Sequence, residues 1–224
     1  MLGALDIPKR PFGRSGIPVS ILGFGGWHLG VPKTDQEAIR LLHAALDAGI
    51  TFLDNAWDYN DGLSEARMGK GLLGRRDQAF LMTKVCTHGR GARVAMRQLE
   101  DSLRRLRTEY LDLWQVHEVV FDDEPARHFA RGGVVEALDR ARQQGKVRFT
   151  GFTGHKDPRL HLEMLSHDYP WDACWEDYCY SVINLLFFPV HQWHIGLPAR
   201  IWWLHVERGM AAFEDLGCAE LLTR

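Results

Sequence analysis

The sequence predicts an α/β protein of the (β/α)8 barrel type, and three observations carry that expectation. Apolar runs of strand length alternate with helical segments about every thirty residues. Three of these runs end in a polar, titratable residue: 50–53 reaches Asp54, 79–83 reaches Lys84, and 111–116 reaches His117. Strict alternation demands a parallel sheet, whose chemistry sits at the carboxyl ends of its strands. The third observation favours closure over an open, doubly wound sheet. Gly23-Phe24-Gly25-Gly26-Trp27-His28-Leu29-Gly30 supplies glycines after the first strand but lacks GxGxxG spacing, and the next helix starts only at Thr34. A closed ring brings several strand tips around one pocket.

The elements follow in order. Arg14-Ser15-Gly16-Ile17-Pro18 is turn chemistry between short apolar runs and predicts an N-terminal hairpin or cap. Residues 19–24 read as the first strand. Thr34-Asp35-Gln36-Glu37 is a capping box; Ala38, Ile39, Leu41, Leu42, Ala45 and Leu46 then recur at helical spacing up to a stop at Gly49. Residues 50–53 form the second strand. The alternation continues with helix 64–73, strand 79–83, helix 92–106, strand 110–116, helix 133–144, strand 147–152 and helix 158–166, which makes five βα units.

Composition is that of a soluble globular chain forming one domain, 1–224. Of 224 residues 46% are hydrophobic and 25% charged, and the formal charge of -2 leaves no footprint for nucleic acid. Arg104, Arg105 and Arg107 cluster on one helix and read as a solvated face. Cys86, Cys174, Cys179 and Cys218 lack CxxC spacing, so neither a zinc site nor a disulfide framework is indicated, and a cytoplasmic location is expected. Residues 1–10 hold no apolar stretch of signal-peptide length, and later apolar runs are too short or interrupted to span a bilayer.

Taken singly, Asp54 reads as a turn cap, Lys84 as a surface lysine and His117 as a satisfied strand-end histidine. Together with Tyr59, five residues past Asp54, they form a constellation with a chemistry. An ammonium beside a phenol favours the phenolate, so Lys84 eases proton donation by Tyr59. Burying that lysine requires a partner, which Asp54 supplies. His117 then directs a carbonyl oxygen to the tyrosine hydroxyl, which protonates the developing alkoxide as a hydride arrives.

These residues resemble those of the aldo-keto reductases. The resemblance rests on Asp54, Asn55-Ala56-Trp57-Asp58-Tyr59, Lys84 and His117, and on Ser64-Glu65 after the tyrosine. It extends to Leu111-Asp112-Leu113-Trp114-Gln115-Val116-His117 and to Gly145-Lys146-Val147-Arg148-Phe149-Thr150-Gly151-Phe152-Thr153-Gly154-His155, and covers residues 10–172. It implies reduction of a small aldehyde or ketone, or the reverse oxidation, with NADP(H), or alternatively NAD(H), as cofactor. Tyr59 is then the general acid, Lys84 its modulator, Asp54 the partner of Lys84 and His117 the orienting group. Gly25, Gly26 and Trp27, with Asp54, lie along the nicotinamide. Thr153 and Gly154 stand where the family often has Ser-Asn on the carboxamide, so the hydroxyl is kept and the amide lost. No metal is implied.

Residues 173–224 depart from the family. Trp175 stands at the position expected for a glutamine under the nicotinamide. No lysine follows Lys156, while five of the eight tryptophans fall at or after Trp171 and three of the four cysteines at or after Cys174. This shift predicts a truncated or frame-altered gene, or else a divergent tail with a strand at 180–190 and an amphipathic helix at 197–210. Two other readings compete with a working reductase. One is a noncatalytic barrel kept for binding or regulation. The other is a metal-dependent hydrolase using some of Asp54, His88, His117, Glu118 and His155, which lack HxH or HExxH spacing.

Overall fold

A computed structural model describes residues 7–86 and 90–176. The chain opens with an antiparallel hairpin of β1 (Lys9–Pro11) and β2 (Pro18–Ser20). Then come β3 (Gly23–Gly25), α1 (Asp35–Asp47), β4 (Phe52–Asp54), α2 (Leu63–Gly71), β5 (Phe80–Val85), α3 (Ala92–Leu106) and β6 (Leu111–Val116). The series ends with α4 (Glu124–Phe129), α5 (Val134–Gln143), β7 (Val147–Gly154), α6 (Pro158–Ser166) and β8 (Ala173–Glu176).

Strands β3 to β8 form one parallel sheet in strictly sequential order. A doubly wound sheet reverses its strand order at a switch point. None occurs among the described residues, and the six strands are arranged as the first six of a (β/α)8 barrel.

Side chains alternate between two cores, as the two-residue period of a strand requires. On one face, Leu53, Leu81, Val85, Trp114, Val116 and Phe152 pack with helix residues such as Leu42, Leu99, Leu138 and Met164. On the other, Phe80, Met82 and Leu113 pack with Phe52, Phe149 and Ala173 and with Phe12, Ile17 and Val19 of the hairpin. The Phe12 ring lies 4.7 Å from that of Phe80 and 5.5 Å from that of Phe149. Phe52 and Phe80 open their strands, so the hairpin seals the amino ends of the sheet. Asp54 and Lys84 share the inner face and lie toward the carboxyl ends.

Two expectations are corrected. The strand expected at 19–24 is divided between β2 and β3, because the Ser20 hydroxyl takes up backbone groups of its own strand end and of the chain at β4. It donates to the Leu22 carbonyl at 2.6 Å and accepts the N–H groups of Thr51 at 2.8 Å and Phe52 at 3.2 Å, which ends β2. The short helix α4 was not expected. It begins with Pro125 in its first turn and a Glu124 carboxylate that accepts the N–H groups of Val120 and Phe121. The elements expected at 180–190 and 197–210 lie outside the described residues.

Candidate active site

Lys84 fixes the geometry of the site. Its side chain is 6% exposed, and an ammonium carries three N–H donors and no acceptor. All three are used: one on Asp54 Oδ1, one on the Asn55 carbonyl at 2.8 Å and one on the Tyr59 hydroxyl at 3.3 Å. Because the lysine can only donate, the Tyr59 oxygen accepts and its own proton points elsewhere. Burial opposes the ammonium, but Asp54 and Tyr59 outweigh it and hold the Lys84 pKa above its ordinary value.

Tyr59 differs from the sequence expectation in one respect. Lys84 favours its phenolate as foreseen, yet burial is the larger influence and raises the tyrosine pKa above its usual value. The phenol is therefore protonated across the physiological range. Its ring stands 5.8 Å from that of His117 and nearly perpendicular to it. His117 is 5% exposed, and burial, then Lys84, His155 and Arg90, lower its pKa to about 3, so the imidazole is neutral.

The loop carrying Tyr59 is held in an uncommon conformation. Asn60 and Asp61 have φ of 53° and 55°, in the left-handed region that non-glycine residues seldom enter. Arg105 of α3 pins this loop. Its Nη1 donates to the Trp57 carbonyl at 2.7 Å and to Glu65 Oε2 at 3.2 Å, and its guanidinium lies 5.1 Å from the centre of the Trp57 ring. Gly62, at φ 83°, closes the loop against the same guanidinium, where a Cβ would lie 2.3 Å from Cζ. The Glu65 side chain is fully buried and accepts the Thr83 hydroxyl at 2.7 Å. Burial raises its pKa against the opposing pull of Thr83, Ser102 and Arg105. Arg105 therefore does not belong to the solvated face expected of it, whereas Arg104 and Arg107 are exposed.

Beside Asp54, the loop after β3 is secured from α2. Ser64 donates to the Gly26 carbonyl at 2.5 Å, and Arg67 donates to the carbonyls of Leu29 and Gly30, each at 2.9 Å. Gly26 lies so close to β4 that a Cβ would come within 2.4 Å of the Asp54 carbonyl. Gly25 pairs in register with Asp54 and faces open space, and the neighbouring Trp27 is 51% exposed.

Thr153 and Gly154 close the site at the tip of β7. The Thr153 hydroxyl lies 3.1 Å from His117 Nδ1 and accepts the Glu118 N–H at 2.9 Å. The space that a side chain at position 154 would need is taken by His161, whose Cε1 would sit 2.4 Å from a Cβ there. Asp54, Tyr59, Lys84, His117 and Thr153 are thus joined by contacts, with Gly25, Gly26 and Trp27 on one flank. Trp175 pairs with Thr153 in register on β8, and its carbonyl lies 3.2 Å from His161 Nε2. Among the described residues no group of three His, Cys, Asp or Glu is placed to hold a metal ion, and His88 lies outside them.

Sequence reasoning missed Arg105 as a support of the site. The available signal was its place beside the buried stripe Leu99, Ser102 and Leu106, whereas Arg104 and Arg107 point away from that stripe.

A family model, the aldo/keto reductase family, matches residues 21–180. The chain is 33% identical over 136 residues to the methylglyoxal reductase YeaE of Escherichia coli, which covers 60% of this chain and 45% of that protein. It is 36% identical over 165 residues to the 6-dehydroglucose reductase of Novosphingobium aromaticivorans, covering 65% and 52%. The chain spans about half the length of these curated relatives. Its fold matches the holo form of an aldo-keto reductase from Bacillus halodurans with a TM-score of 0.66 at 31% identity, covering 80% of this chain and 62% of the other. A Klebsiella pneumoniae aldo-keto reductase solved with NADPH matches with a TM-score of 0.60 at 31% identity, covering 70% and 52%.

Proposed function

This chain belongs to the aldo/keto reductase family, and from that premise we propose that it reduces small aldehydes or ketones to alcohols with NADP(H), with NAD(H) as the alternative. The observation that carries the reading is the triply bonded Lys84 ammonium set against the Tyr59 hydroxyl.

The residues present fit such a cofactor. Gly25 borders open space beside Asp54, and Trp27 offers a half-exposed indole face. Gly25, Gly26, Trp27, Asp54, Thr153 and Gly154 would hold the nicotinamide end. When bound, the cofactor supplies the hydride. The remaining steps belong to the chain. His117, neutral, donates a hydrogen bond that orients the carbonyl oxygen. Tyr59 gives that oxygen its proton. Lys84 stabilises the resulting phenolate, and Asp54 keeps Lys84 in place.

The relatives act on methylglyoxal and 6-dehydroglucose, which makes a small, polar carbonyl compound the substrate class proposed here. No helix among the described residues is long and apolar enough to cross a membrane. A single domain in a reducing cytoplasm completes the proposal, resting on composition and on cysteines without disulfide spacing.

The test is a fluorescence titration of the purified chain with NADPH, followed by NADPH oxidation in the presence of methylglyoxal. Saturable binding with turnover that vanishes in Tyr59→Phe, while binding persists, is the expected result. Turnover that survives Tyr59→Phe removes Tyr59 from its role. Binding without turnover in the unaltered chain overturns the reductase reading in favour of a binding module.

A further inference from the structure

Thr153 is 1% exposed at the carboxyl end of β7, so its hydroxyl must be satisfied within the protein. The oxygen accepts the Glu118 N–H at 2.9 Å. The hydroxyl proton then needs an acceptor, and among the described residues the one within hydrogen-bond reach is His117 Nδ1 at 3.1 Å. The surroundings are rigid. Glu118 holds a left-handed φ of 51°, and Arg90 clamps the carbonyls of His117 at 3.1 Å and Glu118 at 2.6 Å. The Thr153 carbonyl also accepts the Val119 N–H at 2.7 Å. This strained strand end is thus tied to β7 at three points.

We infer that Thr153 is a positioning residue that fixes the tautomer of His117: by donating its hydroxyl proton to Nδ1 it leaves the ring's own proton on Nε2. The reverse arrangement, with Nδ1–H donating to Thr153, would strand a buried hydroxyl proton without an acceptor. An imidazolium is excluded for the same reason, since both its nitrogens donate. The low pKa of His117, caused first by burial and then by Lys84, His155 and Arg90, agrees with this.

The consequence rests on the reductase reading proposed above. His117 Nε2 has no hydrogen-bond partner among the described residues and is the nitrogen left for a ligand. In the Nε2–H form it donates to a carbonyl oxygen and turns it toward the Tyr59 proton. In the Nδ1–H form it would present a lone pair to that oxygen and repel it. The position expected to contact a nicotinamide carboxamide therefore acts on the substrate side of the site as well, through the histidine.

The experiment reads the tautomer without turnover. The intact chain is labelled with 15N-histidine, and the ring nitrogens of His117 are observed by NMR near neutral pH, assigned by the signal lost in His117→Gln. The expected spectrum has a protonated Nε2 and a bare Nδ1 in the unaltered chain and in Thr153→Ser. In Thr153→Val the ring leaves that state, and kcat/KM for methylglyoxal falls about tenfold, while Thr153→Ser recovers most of it. A protonated Nδ1 in the unaltered chain overturns the inference, as does a Thr153→Val spectrum identical to that of the parent. A chain without turnover that still has the Nε2–H ring defeats the reductase reading and leaves the tautomer assignment standing.

Discussion

Lowering the pH exposes the energetic consequence of burying neutral histidines, and His128 on α4 isolates it. His128 is 0% exposed; its Nδ1–H donates to the Glu124 carbonyl at 2.7 Å, and its Nε2 is buried without a partner among the described residues. Burial, followed by the charges of Arg90 and Arg127, lowers its pKa from 6.5 to about 3. For a base whose folded pKa lies below its unfolded one, the unfolded chain takes up the proton first. Stability is therefore full above the unfolded pKa and drains as pH falls toward the folded one. At about pH 5 the medium is roughly 1.5 units below the unfolded pKa, and each unit is worth ~1.4 kcal/mol, so this one side chain removes about 2 kcal/mol. His117, lowered to the same value, acts in the same direction. Glu65 acts in the opposite direction, because its raised pKa makes the folded chain bind a proton more readily. Subtracting a His128→Gln variant isolates the term, since glutamine can still donate to the Glu124 carbonyl but does not titrate. Urea unfolding followed by fluorescence and far-UV circular dichroism gives the stabilities. Between about pH 7 and 5 the parent is expected to lose about 2 kcal/mol more than the variant. Equal losses would mean that His128 takes up its proton in the folded chain, which would refute the burial argument.

Replacing the groups behind Tyr59 separates chemistry from binding. Lys84→Met leaves the Asp54 carboxylate and the Asn55 carbonyl without their donor, and turnover should drop about 10²- to 10⁴-fold, as for loss of general-acid support. Its stability loss in urea should stay near 1–2 kcal/mol, below the ~3–5 kcal/mol of a fully buried broken pair, because Asp54 remains 29% exposed and can rehydrate. Arg105→Met removes the donor to the Trp57 carbonyl and strands the buried Glu65 carboxylate. It should cost about 2–3 kcal/mol and lower kcat more than NADPH affinity, and adding Glu65→Gln should restore part of the stability but not the kcat. Full kcat in Arg105→Met would detach the Tyr59 loop from α3.

Much of this was legible because strand tips and caps are local signals. Asp54, Lys84 and His117 could be read from apolar runs that end in a titratable residue, and they do converge. Thr34 does cap α1, with its hydroxyl accepting the Glu37 N–H at 3.2 Å. What stayed hidden depends on partners far along the chain. Ser20 breaks a plausible strand because Thr51 and Phe52, 31 and 32 residues later, bond to its side chain. Arg105 sits among arginines of identical composition, and its partner Trp57 is 48 residues away. Gly154 reads as a lost amide contact, whereas in space its missing side chain makes room for His161. Periodicity assigns a residue to a face of its element. It does not say what stands opposite.

The pleat makes the helical layer part of the site. Along β5, Lys84 points inward to Asp54 and Tyr59, while its neighbour Thr83 points outward to Glu65 on α2. Glu65 holds Arg105 on α3, and Arg105 returns to the Trp57 carbonyl in the loop that carries Tyr59. The circuit begins and ends beside the same phenol and passes through a strand, two helices and a loop. Thr83 and Glu65 in it are fully buried, so a polar atom released there has no water to turn to and must draw on the next. A substitution on the outer side of β5, at Thr83, is therefore expected to displace the loop that carries Tyr59.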